Sequence, residues 1–295
     1  MHSNSIRTHM AEDGIPEEAR AAGSWSARDE HYREIVLAPL RDAMKYKPKM
    51  GTDKAVSLPD FISLYSSDPL YHWMGLDNEL MYLAAKAGGG QTSIYRHLGD
   101  GMERLVRQIF IDEYQLTEEE VNWGYVITED NGTQTHRTLD GRLDLSMIRS
   151  TEKAEILADW LNSVKEAQGT QFDLQGAVFE IRQGYKSQDS KRAKGDIVNG
   201  SHALNSAYQM FVMVMSMQIP NAVRSRYERS NICVMTGNLQ DDGPLTSTYA
   251  FFRQVVGYDL AGFFERNSQV FRDQTHAILT SILEAKCCLL YTSDA

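Results

Sequence analysis

The spacing of apolar residues predicts two amphipathic helices that would each bury one face. Over 99–114 the apolar residues recur at intervals of three and four positions, which is the period of a helix. These residues are Met102, Leu105, Val106, Ile109 and Phe110. A second helix is predicted over 151–169, with Ser150 or Thr151 as its N-cap and Gly169 at its end. Both helices need an apolar surface to pack against.

Further regions have weaker helical patterns. They are 29–46, 59–87 (one or two helices), a methionine-rich stretch at about 201–218, and 248–285. The three glycines at 88–90 are expected to end the second of these regions as a flexible joint. In the methionine-rich stretch the apolar residues would face all sides of a helix, which is typical of a core helix packed on a sheet.

Short segments rich in aromatic, β-branched and other apolar residues predict strands. They lie at 122–128, 141–148, 175–184 and 231–237. Between the first two, Asn131-Gly132 is a hairpin turn signal. Because helices and strands alternate along the chain, the sequence predicts an α/β (α+β) fold, in which helices cover the faces of one sheet.

Composition divides the chain into regions of different character. Residues 1–28 are polar and small and are expected to be poorly ordered. Residues 29–92 form a predicted helical N-terminal extension, and 93–286 hold the alternating core. The ending CLLYTSDA resembles a translated sequencing adapter, so 287–295 is excluded from the fold and Lys286 is taken as the last native residue. The natural protein is then expected to continue further.

The overall charge and the absence of long apolar stretches limit the classes of function. The 295 residues carry a formal net charge of −10, which argues against non-specific coating of nucleic acid but allows a local basic site. No stretch is apolar enough for a secretory signal or a membrane span. The three cysteines fit neither a disulfide framework nor a zinc site. The protein is therefore expected to be soluble and cytoplasmic, with no membrane partner.

Two acids inside apolar strands are the first candidates for chemistry. Asp144 lies between Leu143 and Leu145, and Glu180 lies between Phe179 and Ile181. A carboxylate is costly to bury unless it is paired or binds a metal. Mg²⁺ prefers oxygen ligands and is usually held by one or two carboxylates, so the two acids predict a magnesium site.

Neighbouring residues leave alternatives to this assignment. Arg182 lies on the same strand face as Glu180, where it could contact the attacking water or a scissile phosphate. Asp144 has the alternative role of a buried ion-pair partner of Arg142 or Arg182. Asp140, in a Leu-Asp-Gly sequence, is expected to be a turn residue and is the second choice for the strand acid.

Four segments resemble type II restriction endonucleases of the ApaLI-like family, within the PD-(D/E)xK nuclease superfamily. They are YRHLGDGMERLVRQIF (95–110), TLDGRLDL (138–145), FEIRQGYKSQDSKRAKGDI (179–197) and RYERSNICVMTGNL (226–239). The resemblance covers about 70–240 and implies a restriction-endonuclease-like mixed sheet flanked by helices. It also implies Mg²⁺-dependent cleavage of double-stranded DNA at a short palindrome, GTGCAC if the specificity matches. A homodimer, a cognate DNA methyltransferase encoded nearby and a prokaryotic cytoplasm are further implications.

The same resemblance assigns roles to site residues. Asp144 and Glu180 would be the catalytic metal ligands, and Glu103, on the preceding helix, would be a further ligand. Arg182 stands where a lysine is usual, and because arginine stays protonated it can stabilise charge but cannot take a proton from water. Either Mg²⁺-bound hydroxide suffices, or Lys186 supplies the catalytic lysine.

A basic stretch follows Glu180 and is expected to form a loop over 186–194 that faces DNA. Its candidate DNA contacts are Lys186, Gln188, Asp189, Lys191, Arg192 and Lys194. Lys and Arg would hold phosphates, and several of these side chains could read base edges. The alternatives are a solvated loop without function, a repair or phage nuclease of low specificity, and a DNA-binding module that no longer cuts.

Overall fold

The computed structural model describes the backbone of residues 22–128, 132–185 and 190–283, with side chains from 27 in the first range and from 193 in the last. Predictions for 1–21, for Asn131 and for the tail 287–295 lie outside these residues. Within them, the helices are α1 (Ala22–Asp42), α2 (Leu58–Ser67), α3 (Pro69–Trp73), α4 (Glu79–Tyr114), α5 (Glu118–Val121), α6 (Thr151–Gln168), α7 (Ser190–Asn205), α8 (Asn221–Glu228), α9 (Thr248–Phe251), α10 (Leu260–Arg266) and α11 (Ser268–Leu283).

The strands form one mixed sheet and one separate pair. They are β1 (Trp123–Thr128), β2 (Gln134–Leu139), β3 (Gly141–Asp144), β4 (Gly176–Arg182), β5 (Tyr208–Val214) and β6 (Cys233–Met235). The four-stranded sheet has the order β3-β4-β5-β6, while β1 and β2 pair with each other. β3 is antiparallel to β4, whereas β4, β5 and β6 run parallel. The predicted mixed class of helices and strands is confirmed.

Helices cover both faces of the four-stranded sheet. On one face, Phe179 and Ile181 of β4 belong to a core cluster with residues of α4, α6 and α9. On the other face, Val178 packs in a second cluster with Ala193 of α7 and Tyr227 of α8. Because the side chains of a strand alternate between faces, Glu180 and Arg182 point towards α7 and α8. The sheet therefore carries two charged residues into its second core layer.

The predicted methionine-rich helix over 201–218 is wrong. α7 ends at Asn205, and the residues from Tyr208 to Val214 form β5, which lies between β4 and β6. Every residue of β5 is buried, so both of its faces are apolar and the alternation that marks a half-exposed strand is missing. The expected loop over 186–194 is also wrong in part, because α7 begins at Ser190.

Other differences concern helix and strand ends. α4 continues through the three glycines at 88–90, where Gly89 and Gly90 let Tyr46 and Ile282 pack closely against the helix. The strand predicted over 141–148 ends at Asp144, after which Leu145–Met147 form a short 3₁₀ turn. β2, which pairs with β1, was not predicted. The helix α6 and its Ser150 cap are confirmed.

None of the helices in the described ranges combines the length and apolar character that crossing a lipid bilayer requires.

Candidate active site

Glu180 and Arg182 form an ion pair at the end of the central strand β4. Both side chains project from the same strand face, and the Arg182 guanidinium contacts the Glu180 carboxylate directly through Nη2. Glu180 is buried, and only 15% of the Arg182 side chain is exposed. A charged pair in this position needs further polar partners, because each buried charge loses its hydration.

Asp140 is the second carboxylate of this site. It lies at the bend where the chain leaves β2 and enters β3, and its N–H donates to the Phe179 carbonyl at 2.9 Å. Its Oδ2 accepts the N–H of Ile181 at 2.7 Å and lies 3.9 Å from Arg182 Nη1. Backbone pairing thus fixes Asp140 beside Glu180. The sequence predicted Asp140 to be a turn residue and made it the second choice for the strand acid. In the structure Asp140 lies at the bend and also near Glu180 and Arg182.

The structure does not bring Asp144 to Glu180, so the predicted pair of metal ligands is corrected here. Asp144 pairs with Gly176, whereas Gly141 pairs with Phe179. Glu180 lies four positions beyond Gly176 along the strand, which is about 13 Å of extended chain. The Asp144 carboxylate accepts hydrogen bonds from the Tyr208 hydroxyl and from the backbone and side chain of one serine, at 2.9 and 2.7 Å.

These hydrogen bonds give Asp144 a structural role. Burial acts to raise its pKa, but the hydrogen bonds from Tyr208 and Ser146 outweigh burial and hold the pKa below its usual range. Asp144 caps the 3₁₀ turn through the N–H of Ser146. Its carboxylate is a satisfied ionised acceptor, which is not available to a cation near Glu180.

A third acid, Asp196, also contacts Arg182. Asp196 lies on α7 and is buried, and its Oδ1 is 3.4 Å from Arg182 Nη2. Its Oδ2 accepts a hydrogen bond from the Tyr227 hydroxyl at 2.6 Å, and that hydroxyl lies 2.9 Å from the hydroxyl of Tyr185. Sequence reasoning missed Asp196.

A signal for Asp196 is present in the sequence. Ala193, Asp196, Ile197 and Gly200 are spaced as one helix face, so Asp196 is an acid within an otherwise apolar or small stripe. Recognising it requires the knowledge that the chain is helical from Ser190.

Glu103, the third predicted ligand, lies near Asp140 but forms an ion pair with Arg107 on its own helix. Its carboxylate accepts a hydrogen bond from Arg107 at 2.6 Å, one turn along α4. Arg107 Nε also donates to the Asp140 carbonyl at 3.1 Å. The negative charge of Glu103 still acts on Asp140 and raises its pKa.

The carboxylates of this site are short of positive charge. Burial raises the pKa of Glu180 to about 8, and the charges of Asp140 and Asp196 add to this effect while Arg182 opposes it. Burial, together with Glu103, raises the pKa of Asp140 to about 6, although the Ile181 N–H, Arg182 and Arg107 oppose it. Among the described side chains, Asp140, Glu180 and Asp196 all lie within 4 Å of a single cation, Arg182, so the site favours binding a proton or a second cation.

The donor atoms fit a magnesium ion that is only partly held by protein. In the described part of the chain, no three His, Cys, Asp or Glu side chains converge as a metal site. Asp140 and Glu180 provide two carboxylates near Arg182, and the Ile181 carbonyl oxygen accepts from Arg182 Nη1 at 3.4 Å. Mg²⁺ is commonly bound by one or two carboxylates and completed by water and phosphate oxygens.

The predicted DNA contacts are described only in part. Lys186, Gln188 and Asp189 lie outside the described residues. Lys191 and Arg192 belong to the first turn of α7, without described side chains. Lys194 is exposed on the same helix, two residues before the buried Asp196. The basic stretch thus continues into a helix that enters the site.

Comparisons with protein families, with curated proteins and with solved structures found no match. The likeness to restriction endonucleases therefore remains a resemblance of four short segments, one of which contains Asp140 and another Glu180, Arg182 and Asp196.

Proposed function

We propose that this protein is a Mg²⁺-dependent nuclease that hydrolyses phosphodiester bonds in double-stranded DNA. The observation that carries the proposal is the pairing of Asp140 with the buried Glu180, whose pKa values are both raised, chiefly by burial and further by neighbouring acids, which outnumber the cations described around them. A divalent cation would relieve this imbalance. Oxygen donors of this kind match the preference of Mg²⁺.

In this proposal Asp140 and Glu180 hold the metal, and Asp144 does not. When bound, Mg²⁺ supplies an activated water and offsets negative charge on the phosphate. Arg182 remains protonated, so it can hold a phosphate oxygen and stabilise developing charge there, but it cannot act as the base. Lys186 stays the alternative source of a lysine.

The proposed DNA contacts and cleavage specificity are inferred from the amino-acid sequence. Lys191, Arg192 and Lys194 precede the site on α7, where cations would contact phosphates and set the position of the duplex. Cleavage at a short palindrome, a homodimer, a cognate methyltransferase and a prokaryotic cytoplasm are proposed from the resemblance to type II restriction endonucleases.

A second candidate, a DNA-binding module that no longer cuts, is favoured by one contact. The Arg182 guanidinium lies between Glu180, Asp196 and Asp140 and occupies the space in which a cation would bind. If the guanidinium stays there permanently, the fold would bind DNA without metal chemistry.

The test is cleavage of unmethylated phage DNA by the wild type and by Glu180→Gln, with MgCl₂ or with EDTA. Glu34→Gln is the matched control, because Glu34 is an exposed glutamate on α1. We expect discrete fragments from the wild type and the control with Mg²⁺, and a loss of at least about a hundredfold for Glu180→Gln, beyond the loss typical of outer-shell ligand partners. A smear of fragments would contradict sequence-specific cleavage. Binding without cutting would support the inert module and contradict the nuclease.

A further inference from the structure

Arg182 has two competing carboxylate partners in the site, Glu180 and Asp196, and both contact the same end of its guanidinium. Glu180 is in direct contact with the guanidinium, Asp196 lies 3.4 Å from it, and Asp140 lies 3.9 Å from Nη1. The same Nη2 atom serves both Glu180 and Asp196. A cation bound to Glu180 would repel the guanidinium, because two positive charges cannot share one carboxylate at close range without a large Coulomb cost.

Asp196 is fixed in place from behind. Its Oδ2 accepts the Tyr227 hydroxyl at 2.6 Å, and Tyr227 is buried. The helix that carries Asp196 packs closely on the strand layer, since Gly200 leaves no room for a side chain next to Ile232. Asp196 therefore presents Oδ1 towards Arg182 at a position set by α7 and α8.

The guanidinium is incompletely bonded where it lies. Arg182 Nε is buried and has no hydrogen-bond partner within the described residues. A buried donor without a partner carries a free-energy cost. A shift of the guanidinium from Glu180 towards Asp196 would break no bond at Nε and would strengthen the longer of the two charged contacts.

We propose that Asp196 is a positioning residue that receives Arg182 when a divalent cation occupies Asp140 and Glu180. The inference rests on the proposed metal-dependent function. Without Asp196, Glu180 is the strongest remaining partner of the guanidinium, so Arg182 competes more strongly with the metal. Asp196 thus sets cation affinity by acting through Arg182.

The test is Mn²⁺ binding to the metal-free protein, measured by electron paramagnetic resonance and by calorimetry without DNA. Asp196→Asn is expected to weaken Mn²⁺ binding by at least about tenfold, in the range seen for residues that support metal ligands. A double-mutant cycle separates this role from a general loss of charge. In an Arg182→Met background, the same substitution is expected to change the affinity less than about threefold, since no guanidinium remains to be positioned.

Tyr227→Phe is the second variant, and it keeps the test decisive if Asp196→Asn fails to fold. It removes the hydrogen bond that fixes Asp196 and should weaken Mn²⁺ binding in the same direction, by less than Asp196→Asn. Equal weakening in both Arg182 backgrounds, or unchanged binding in Asp196→Asn and Tyr227→Phe, would overturn the positioning role alone. A wild type that binds no Mn²⁺ would overturn the proposed function as well.

Discussion

An aspartate lies at each end of the short strand β3, and the pKa values of the two carboxyl groups are shifted in opposite directions. At one end, Asp140 lies beside Glu180 and Arg182, and its pKa is raised to about 6. At the other end, Asp144 accepts hydrogen bonds from Tyr208 and Ser146, and its pKa is lowered. Burial is the largest influence on both pKa values and acts to raise each of them, so the direction of the shift depends on the other groups around each carboxylate.

The difference lies in what surrounds each carboxylate. The Asp144 carboxylate is surrounded by neutral donors that satisfy the ionised form. The Asp140 carboxylate has one backbone donor and further acids nearby, which disfavour the ionised form until a cation arrives. An acid in a strand therefore points to a metal site only when its neighbours leave negative charge uncompensated.

The largest predicted effect is a difference in DNA cleavage between variants that remove the carboxylate charge at one or the other end of β3. Asp140→Asn should reduce Mg²⁺-dependent cleavage by about a hundredfold or more, because a metal ligand is lost. Asp144→Asn should leave cleavage per folded molecule within about threefold. It should lower the free energy of unfolding by about 1–3 kcal/mol, the cost of weakening charge-assisted hydrogen bonds. Cleavage rates and urea unfolding of both variants measure these effects, and an equal loss of cleavage would remove the distinction between the two ends.

A smaller effect is expected in the pH dependence of stability. Glu180 has a pKa of about 8 when folded, above its ordinary value of 4.5, so the folded state binds the proton more tightly. Its contribution to stability is present below about pH 4.5 and is lost as the pH rises towards 8. Asp140 acts in the same direction over a lower range.

Urea unfolding of the metal-free protein between pH 5 and pH 8.5 measures this loss. Glu180→Gln should flatten the decline, and MgCl₂ should stabilise the wild type more at pH 8 than at pH 6, because protons compete with the metal. The pH dependence that Asp144 contributes to stability has the opposite sign, because its lowered pKa gives stability that is lost as the pH falls. A rise in stability towards pH 8 without metal would contradict the uncompensated charge at Glu180.

Much of the fold could be predicted where local signals were complete. α6 has an apolar stripe, a serine cap and a terminal glycine in the left-handed conformation, and its predicted bounds agree with the structure. β5 could not be assigned, because a strand buried on both faces has no alternation. In α4 the glycines at 88–90 were wrongly predicted to end a helix. The helix continues through them, and Gly89 and Gly90 allow close packing of Tyr46 and Ile282.

In the candidate site, too, the sequence placed together only those residues that lie on one strand. Glu180 and Arg182 are separated by one residue, so the period of a strand places them together without further information. The choice between Asp140 and Asp144 depends on the register between β3 and β4, which the apolar pattern does not fix because both acids lie beside leucines. Asp196 is brought to Arg182 only by the packing of α7, and Lys186, the alternative lysine, lies outside the described residues.

The most direct test of the central claim is an anomalous difference map from crystals of the metal-free protein soaked in MnCl₂. The account predicts one strong peak between the carboxylates of Asp140 and Glu180, within coordination distance of both, with Arg182 moved towards Asp196. A peak at Asp144, or no peak with Arg182 still bound to Glu180, would contradict a metal site at this end of β3.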